Sequence, residues 1–283
     1  SNIVGLNTNT IVIEEKIIGE EVSIMGFCNG DEVSLMPQSK DYKKIYDNDI
    51  GLNTGGMGSH APVYILNDTE LEEIKTGMGL IVKQLNYKGI LYAGVIKNDN
   101  DYYVLEFNCR FGDPECQVLL NLLDCDFYQI CLDTVYCNSY NIKWKDNIYA
   151  SNIVLSHNDY PLHKSKKILP LKINNIDKDI KLYYGNVLRK SNKLYTTGGR
   201  VISVVNCNSN IFLSFNAILN NIHKINYNGS YYRKDIGLNY CLNLKNKNIP
   251  IKIGILGSTK GTSIQKLINY TNDKKLNASI EVI

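Results

Sequence analysis

Glu106-Phe107-Asn108-Cys109-Arg110-Phe111-Gly112-Asp113-Pro114-Glu115 is the stretch that decides how the rest of the chain is read. It ends a β-prone run from Tyr102 to Asn108, and Pro114 opens a helix that carries Val118, Leu119 and Leu122. Residues two apart on a strand share a face. Glu106 and Asn108 are therefore expected to present a carboxylate and an amide oxygen side by side, with Phe107 turned into the opposite core. Mg²⁺ takes hard oxygen ligands at about 2.0–2.1 Å, one or two from protein and the rest from phosphate and water. Glu106 and Asn108 meet that demand and are the candidate metal ligands. Arg110 falls on the same face, where a guanidinium holds a phosphoryl or carboxylate oxygen bidentately. An E-x-N spacing alone is common on surface edge strands; the ten-residue context makes this one specific.

Two segments upstream carry related chemistry. In Val12-Ile13-Glu14-Glu15-Lys16-Ile17-Ile18-Gly19-Glu20-Glu21-Val22, a hinge beside Ile17 would meet an adenine edge in an apolar slot. Glu21, on the next strand, would accept hydrogen bonds from ribose hydroxyls. Acidic clusters at strand ends are usually solvated, so this segment is weak by itself. In Gly51-Leu52-Asn53-Thr54-Gly55-Gly56-Met57-Gly58, the glycines permit positive φ and close approach, and exposed N–H groups would form an anion nest. A long flexible turn explains the same composition equally well.

Around these motifs, Val22 to Phe27 reads as a strand antiparallel to Ile11-Val12-Ile13, and Asn29-Gly30 as a hairpin turn into Glu32–Met36. Asp68 or Thr69 caps a helix with Leu71, Ile74, Met78, Ile81, Val82 and Leu85 at helical spacing. Strands at Ile90–Ile96 and Tyr102–Asn108 flank a polar turn, and Asp126 caps a helix with Phe127, Ile130, Cys131 and Val135. From about Ile148 the texture changes to short strands (Ala150–Leu155, Ile180–Val187, Lys193–Thr196, Gly199–Val205) and a helix from Phe212 to His223. Residues 238 to about 249 are polar and rich in Asn and Lys, and read as a linker. Ile251–Leu256, a loop, a helix from Ile264 and Ala278–Ile283 then form a β-loop-α-β start, the opening of a doubly wound domain.

Composition narrows the class. The 283 residues are 44% hydrophobic with a formal net charge of +3, globular and too weakly basic to point to nucleic acid or an anionic membrane. No run of about 18 apolar residues exists to span a bilayer. The polar, Asn-rich first ten residues are no secretory signal, so the eight cysteines, with no C-x-x-C pair, read as reduced thiols in a cytoplasmic setting. His157 and His163 are the nearest approach to a paired zinc element, which argues against structural zinc. The chain lacks an initiator Met, and is expected to be a piece of a longer protein.

Six motifs, VIEEKIIGEE, SKDYKK, GLNTGGMG, LEFNCRFGDPE, TTGGRV and YRKDIG, occur in order over roughly residues 10–237. Together they resemble the phosphoribosylamine–glycine ligase (glycinamide ribonucleotide synthetase) family of ATP-grasp enzymes. The resemblance implies an α+β chain: the second half of an ATP-grasp domain over 1–147, then a small biotin-carboxylase-C-like domain over 148–237. A linker at 238–250 and a truncated Rossmann-like α/β segment at 251–283 complete the expected organisation. By family pattern Glu14 and Ile17 contact adenine, Glu21 the ribose, and Glu106 and Asn108 hold Mg²⁺ or Mn²⁺. The loop of Gly55, Gly56 and Gly58 covers the substrates, with Arg110 and Asp113 as catalytic residues near the reacting groups. Tyr42, Leu52 and the Ser59-His60-Ala61 stretch depart from the family's usual residues.

Ile253 to Gln265 is similar to the start of phosphoribosylglycinamide formyltransferase, in which a loop at a helix N-terminus binds the nucleotide phosphate. Gly261, Thr262 and Ser263 would take that place, Ser263 standing for the usual Asn. The resemblance implies a bifunctional parent whose formyltransferase part uses 10-formyltetrahydrofolate. The implied ligation consumes ATP, glycine and 5-phosphoribosylamine and passes through glycyl phosphate, with no covalent enzyme nucleophile. The family's N-terminal phosphate-gripping segment is absent, so the chain by itself is expected not to ligate. A catalytically incompetent fragment and another ATP-grasp carboxylate–amine ligase are the competing readings.

Overall fold

In a computed structural model the described residues are 15–99, 101–162, 168–243, 251–255 and 278–282. In chain order they form β1 (Glu20–Asn29), β2 (Val33–Leu35), β3 (Lys40–Asp41), β4 (Lys44–Tyr46), β5 (Ile50–Asn53), β6 (Gly58–Ala61), α1 (Asp68–Leu85), β7 (Lys88–Lys97), β8 (Tyr102–Asn108), α2 (Glu115–Leu122) and α3 (Phe127–Tyr136). There follow β9 (Tyr149–His157), β10 (Leu169–Ile173), β11 (Lys181–Tyr184), β12 (Val187–Lys190), β13 (Lys193–Thr196), β14 (Arg200–Asn208), α4 (Ile211–Ile222), β15 (Ile225–Asn226), β16 (Ser230–Tyr231), α5 (Leu238–Asn243), β17 (Ile251–Ile255) and β18 (Ala278–Val282). The chain divides into two compact units. The first takes residues up to Asp41 with Pro62–Gly112 and Cys125–Lys143; the second takes Tyr42–Ala61, Asp113–Asp124 and the residues from Trp144.

The first unit is built on an antiparallel sheet in the order β2-β1-β7-β8. A hairpin forms at Asn29-Gly30, with Gly30 at φ 99°, but it is longer than the expected two-residue turn: Cys28 pairs with Val33, and Asn29 Oδ1 accepts from the N–H groups of Asp31 and Glu32. Every residue of β1 from Val22 to Asn29 is buried, which requires cover on both faces. Helix α3 packs on β1 and α1 on β2, and Phe27 meets Phe111, Phe127 and Tyr140 at ring-centroid distances of 6.1 to 6.3 Å. The cap of α1 is Asn67 rather than Asp68 or Thr69. Its side chain accepts from Glu70 N and the Glu70 carboxylate accepts from Asn67 N, each at 3.0 Å. That reciprocal box satisfies two end donors at once, which a cap one residue later would not. Ile74, Met78 and Val82 form the buried stripe of α1, while Leu85 is exposed.

The pairing of β7 with β8 is interrupted once. Ile96 faces Tyr103 and Val95 faces Val104, but Gly94 faces Glu106 and Tyr92 faces Asn108. Leu105 is thus the extra residue of a β-bulge, and from it onward every side chain of β8 changes face. Phe107 is not in a core as expected but 46% exposed, because β8 is an edge strand of this sheet.

In the second unit β11, β14, β9 and β6 form consecutive antiparallel neighbours, with β16 added to β9. Helices α2 and α4 pack on this sheet, and β12, β13, β10 and β15 make a second one. The run expected as one strand over Ile180–Val187 divides at Gly185 between the two sheets. A side chain there would press on the Arg200 carbonyl at 3.0 Å. Within the glycine-rich segment Ile50–Asn53 is strand β5, antiparallel to β4, so only Thr54–Met57 remains as loop. The expected linker begins instead with α5, where Tyr240 and Cys241 are buried and Cys241 N–H donates to the Gly237 carbonyl. Strands β17 and β18 pair in parallel, Ile251 opposite Ala278. Ile11-Val12-Ile13, Glu14, His163, Gly261, Thr262 and Ser263 lie outside the described residues. No helix among the described residues is long and apolar enough to cross a membrane.

Candidate active site

Within the first unit the register of three strands lays out one face of the sheet as a grid. Opposite residues of an antiparallel pair share a face, so three rows follow: Glu21–Ile96–Tyr103, Ser23–Gly94–Glu106 and Met25–Tyr92–Asn108. Glu21, Glu106 and Asn108 therefore stand on one face. Ser23 Oγ and Tyr92 Oη are 3.0 Å apart between them. Asn108 Nδ2 donates to Glu106 Oε1 at 3.2 Å, and Arg110 Nη2 donates to Asn108 Oδ1 at 3.3 Å. The three side chains expected together are together. Arg110 is anchored by its Nη1, which donates to the Phe111 carbonyl at 2.9 Å, and Gly112 N–H points to Met25 Sδ.

Two glycines shape this face. A Cβ on Gly94 would stand 3.2 Å from Glu106 Cγ, so the bare backbone leaves room for the carboxylate. A Cβ on Gly19 would stand 2.4 Å from the Lys97 carbonyl oxygen, so only glycine lets the chain pass close to β7 there. Ile17 lies two residues before it, half-buried, in an irregular stretch leading into β1. Among the described residues no group of three or more His, Cys, Asp or Glu side chains could hold a metal by itself. The donors on offer are one carboxylate and one amide oxygen, which fits a Mg²⁺ that keeps its remaining ligands from phosphate and water.

The second unit holds Gly55, Gly56, Gly58 and Asp113, and here the anion-nest expectation fails. Gly55 N–H donates to Tyr160 Oη at 2.8 Å, Gly56 N–H to Thr54 Oγ1 at 3.0 Å and Met57 N–H to the Tyr42 carbonyl at 2.8 Å. Backbone donors satisfied inside the protein are not aimed at a ligand. Gly58 belongs to β6, where a Cβ would collide with the Asn152 carbonyl at 2.6 Å. Asp113 is paired with Arg200: Nη2 donates to Oδ2 at 3.0 Å, and Nη1 to the Asp113 carbonyl at 2.7 Å. Gln117 Nε2 donates to the other carboxylate oxygen at 3.1 Å. A cleft of about 200 Å³ opens beside this pair, lined by Asp113, Gln117, Tyr183, Asn186 and Arg200 among others.

Sequence reasoning missed Gly94, Tyr160 and Arg200. Arg200 sits in the TTGGRV motif, which stood among the resemblances with no task attached. Gly94 had no local signal, since its importance comes from a residue on another strand.

The sheet architecture is that of an ATP-grasp, biotin-carboxylase-like protein. The biotin carboxylase subunit of pyruvate carboxylase superposes with a TM-score of 0.56 over 75% of this chain and 47% of that one, at 12% identity, a likeness of fold alone. More narrowly, residues 1–116 match the family described as phosphoribosylglycinamide synthetase, ATP-grasp (A) domain, and residues 150–239 match its C domain. The chain carries the A and C domains of the phosphoribosylglycinamide synthetase family.

The phosphoribosylamine–glycine ligase of Thermotoga maritima superposes with a TM-score of 0.70 at 28% identity, over 78% of this chain and 56% of that one. A phosphoribosylamine–glycine ligase of Streptococcus pneumoniae is 37% identical over 236 residues, 80% of this chain and 56% of the relative. The trifunctional purine biosynthetic protein adenosine-3 of Chironomus tentans is 33% identical over 277 residues, 92% of this chain and 20% of the relative. The chain thus spans little more than half the length of such bacterial ligases and a fifth of that trifunctional relative.

Proposed function

We propose that this chain is the metal-binding part of a phosphoribosylamine–glycine ligase, joining glycine to 5-phosphoribosylamine at the expense of ATP. The observation that carries the reading is the adjacency of Glu106 and Asn108, 3.2 Å apart, on the face that also bears Glu21. Glu106 and Asn108 would hold Mg²⁺ or Mn²⁺, which when bound neutralises the β- and γ-phosphate oxygens of ATP. Ile17 and Glu21 would receive adenine and ribose, and Glu14 belongs to the same expectation. The glycine carboxylate attacks the γ-phosphate of ATP, the bond to the β-phosphate breaks and ADP leaves, giving glycyl phosphate; the amine of phosphoribosylamine then attacks the acyl carbon, and phosphate and the amine's proton leave. Such a reaction depends on positioning and charge neutralisation rather than an enzyme nucleophile. Arg110 is the cation beside the metal ligands, suited to charge on the transferring group.

Several finer points belong to the same proposal. The domain limits are 1–147, 148–237, 238–250 and 251–283, and the setting is cytoplasmic. The parallel pairing of β17 with β18 supports a Rossmann-like start after the ligase part. Gly261, Thr262 and Ser263 would bind the ribonucleotide phosphate of a formyltransferase that uses 10-formyltetrahydrofolate.

The test is ADP release by the longer protein carrying this chain, dependent on both glycine and phosphoribosylamine, with Glu106→Ala as control. Loss of at least about a hundredfold in turnover with folding retained is expected, the size seen when one preorganised electrostatic partner is removed. ADP release that ignores both substrates, or an active Glu106→Ala variant, rejects the assignment.

A further inference from the structure

We propose that Arg200 is a positioning residue for the Thr54–Met57 loop, setting its shape for the ligation proposed above. Its Nη1 donates to the Gly55 and Asp113 carbonyls, both at 2.7 Å, and lies 3.4 Å from the Gly56 carbonyl. Its Nη2 holds the Asp113 carboxylate at 3.0 Å. The guanidinium thus ties residues 55 and 113, far apart in sequence, to the start of β14. Gly55 is shaped around this contact: a Cβ would meet Arg200 Nη2 at 3.0 Å, Arg200 Cζ at 3.1 Å and Tyr160 Oη at 3.2 Å. Both polar groups of Gly55 are consumed, the N–H by Tyr160 and the carbonyl by Arg200.

A second arginine fastens the chain on the far side of β5. Arg233, fully buried, donates to the Lys44 carbonyl at 3.0 Å and to Asp49 Oδ1 at 2.8 Å. Arg233 and Arg200 therefore tie down residues 44–49 and 55–56, one on each side of β5. A planar guanidinium reaches several carbonyls at once; a lysine ammonium is a single point charge on a flexible stem.

That division of labour makes the loop a shaped surface rather than an anion trap. With its amides turned inward, it acts on substrate by where its backbone stands. The substrate part of this inference rests on the ligase reading; the clamp itself does not.

Hydrogen exchange on the 283-residue chain tests the clamp directly. Arg200→Ala should speed exchange at Gly55, Gly56 and Met57 by about tenfold or more while β9 and β14 amides stay protected, the mark of local opening. Arg200→Lys should fall between the two. Should Arg200→Ala unfold the unit, Gly55→Ala, which presses on the guanidinium, takes its place with the same expectation. In the longer protein, Arg200→Ala should raise KM for glycine and phosphoribosylamine by about tenfold and leave KM for ATP within about twofold, a split that lost folding would not produce. Unchanged loop exchange in Arg200→Ala or Gly55→Ala overturns the proposal whatever the kinetics. Faster loop exchange with no change in either KM overturns its link to ligation. Absence of any ligation by the unmutated longer protein counts against the ligase reading and leaves the exchange result standing.

Discussion

Glu21 and Glu106 stand on the same face of one antiparallel sheet, two strands apart and in neighbouring rows, Glu21 opposite Ile96 and Glu106 opposite Gly94. Standard strand spacing puts roughly 10 Å between β1 and β8. The ribose contact proposed for Glu21 and the metal proposed for Glu106 would have to span that separation.

The missing Cβ at Gly94 leaves room for the Glu106 side chain, whose Cγ a Cβ would approach to 3.2 Å. Gly94→Ala should weaken Mn²⁺ binding in the presence of ATP by about tenfold, the lower range for disturbing a ligand's supporting shell. Stability should move by no more than about 1 kcal/mol, since alanine is the better-behaved strand residue. Spin-resonance titration of Mn²⁺ beside a denaturant curve reads both. Unaltered affinity would show that the 3.2 Å approach to Glu106 Cγ is relieved at no cost to the site.

Among the described residues Arg233 is the largest fully buried side chain, and Asp235 grips it through Nε at 2.8 Å and Nη2 at 2.7 Å. Removing the cation strands a carboxylate that is only 12% exposed. Arg233→Met should therefore cost about 3 kcal/mol in urea unfolding, as for other half-deleted buried pairs. Burial alone would raise the Asp235 carboxyl, but the Arg233 guanidinium and the Asn48 N–H outweigh it and hold it below the usual range. A lowered native value stabilises the fold fully above the ordinary Asp value of about 4, and the gain is lost as pH falls through the native value. The wild-type chain should lose stability below about pH 4 more steeply than Asp235→Asn.

Thiol reactivity should follow burial. Burial pushes the Cys28 and Cys241 thiols up to about 11, whereas Cys109, Cys131 and Cys137 are exposed. At pH 8 the exposed three should alkylate first, with Cys28 and Cys241 slower by at least about a hundredfold until the chain is unfolded. Mass spectrometry of a timed iodoacetamide reaction reads the order. Early labelling of Cys28 would contradict the packed sheet around it.

The Asn67 box predicts a smaller, local effect. Asn67→Ala should lower stability by about 1 kcal/mol, the usual cost of an N-cap. Metal binding should be unchanged, because α1 touches neither Glu106 nor Asn108 through that cap. A thermal melt with a parallel metal titration separates the two.

Elements whose signal is local were legible in advance: the Asn29-Gly30 hairpin, the strands around the Asn98–Asp101 turn, the Asp126 cap and the helix after Pro114. Asx and glycine turn chemistry acts within four residues, so a sequence window contains it. The strand at Leu169–Ile173 and helix α5 were missed because each is short and mixed in polarity, and long-range partners supply the cover. The nest expected at Gly55 and Gly56 failed for a similar reason: its acceptors, Tyr160 Oη and Thr54 Oγ1, compete with any ligand, and one of them lies a hundred residues away.

Alternation along a strand was enough to place Glu106 and Asn108 together, and their hard oxygens were enough to name the kind of ion they suit. Which side of the sheet they occupy was decided only in three dimensions. The bulge at Leu105 turns them toward Glu21, and a bulge exists only when a second strand fixes the register. Arg200 belongs with that second kind of fact. Its partners are chosen by the folding of distant segments onto one another, and nothing in a local window of sequence records such a meeting.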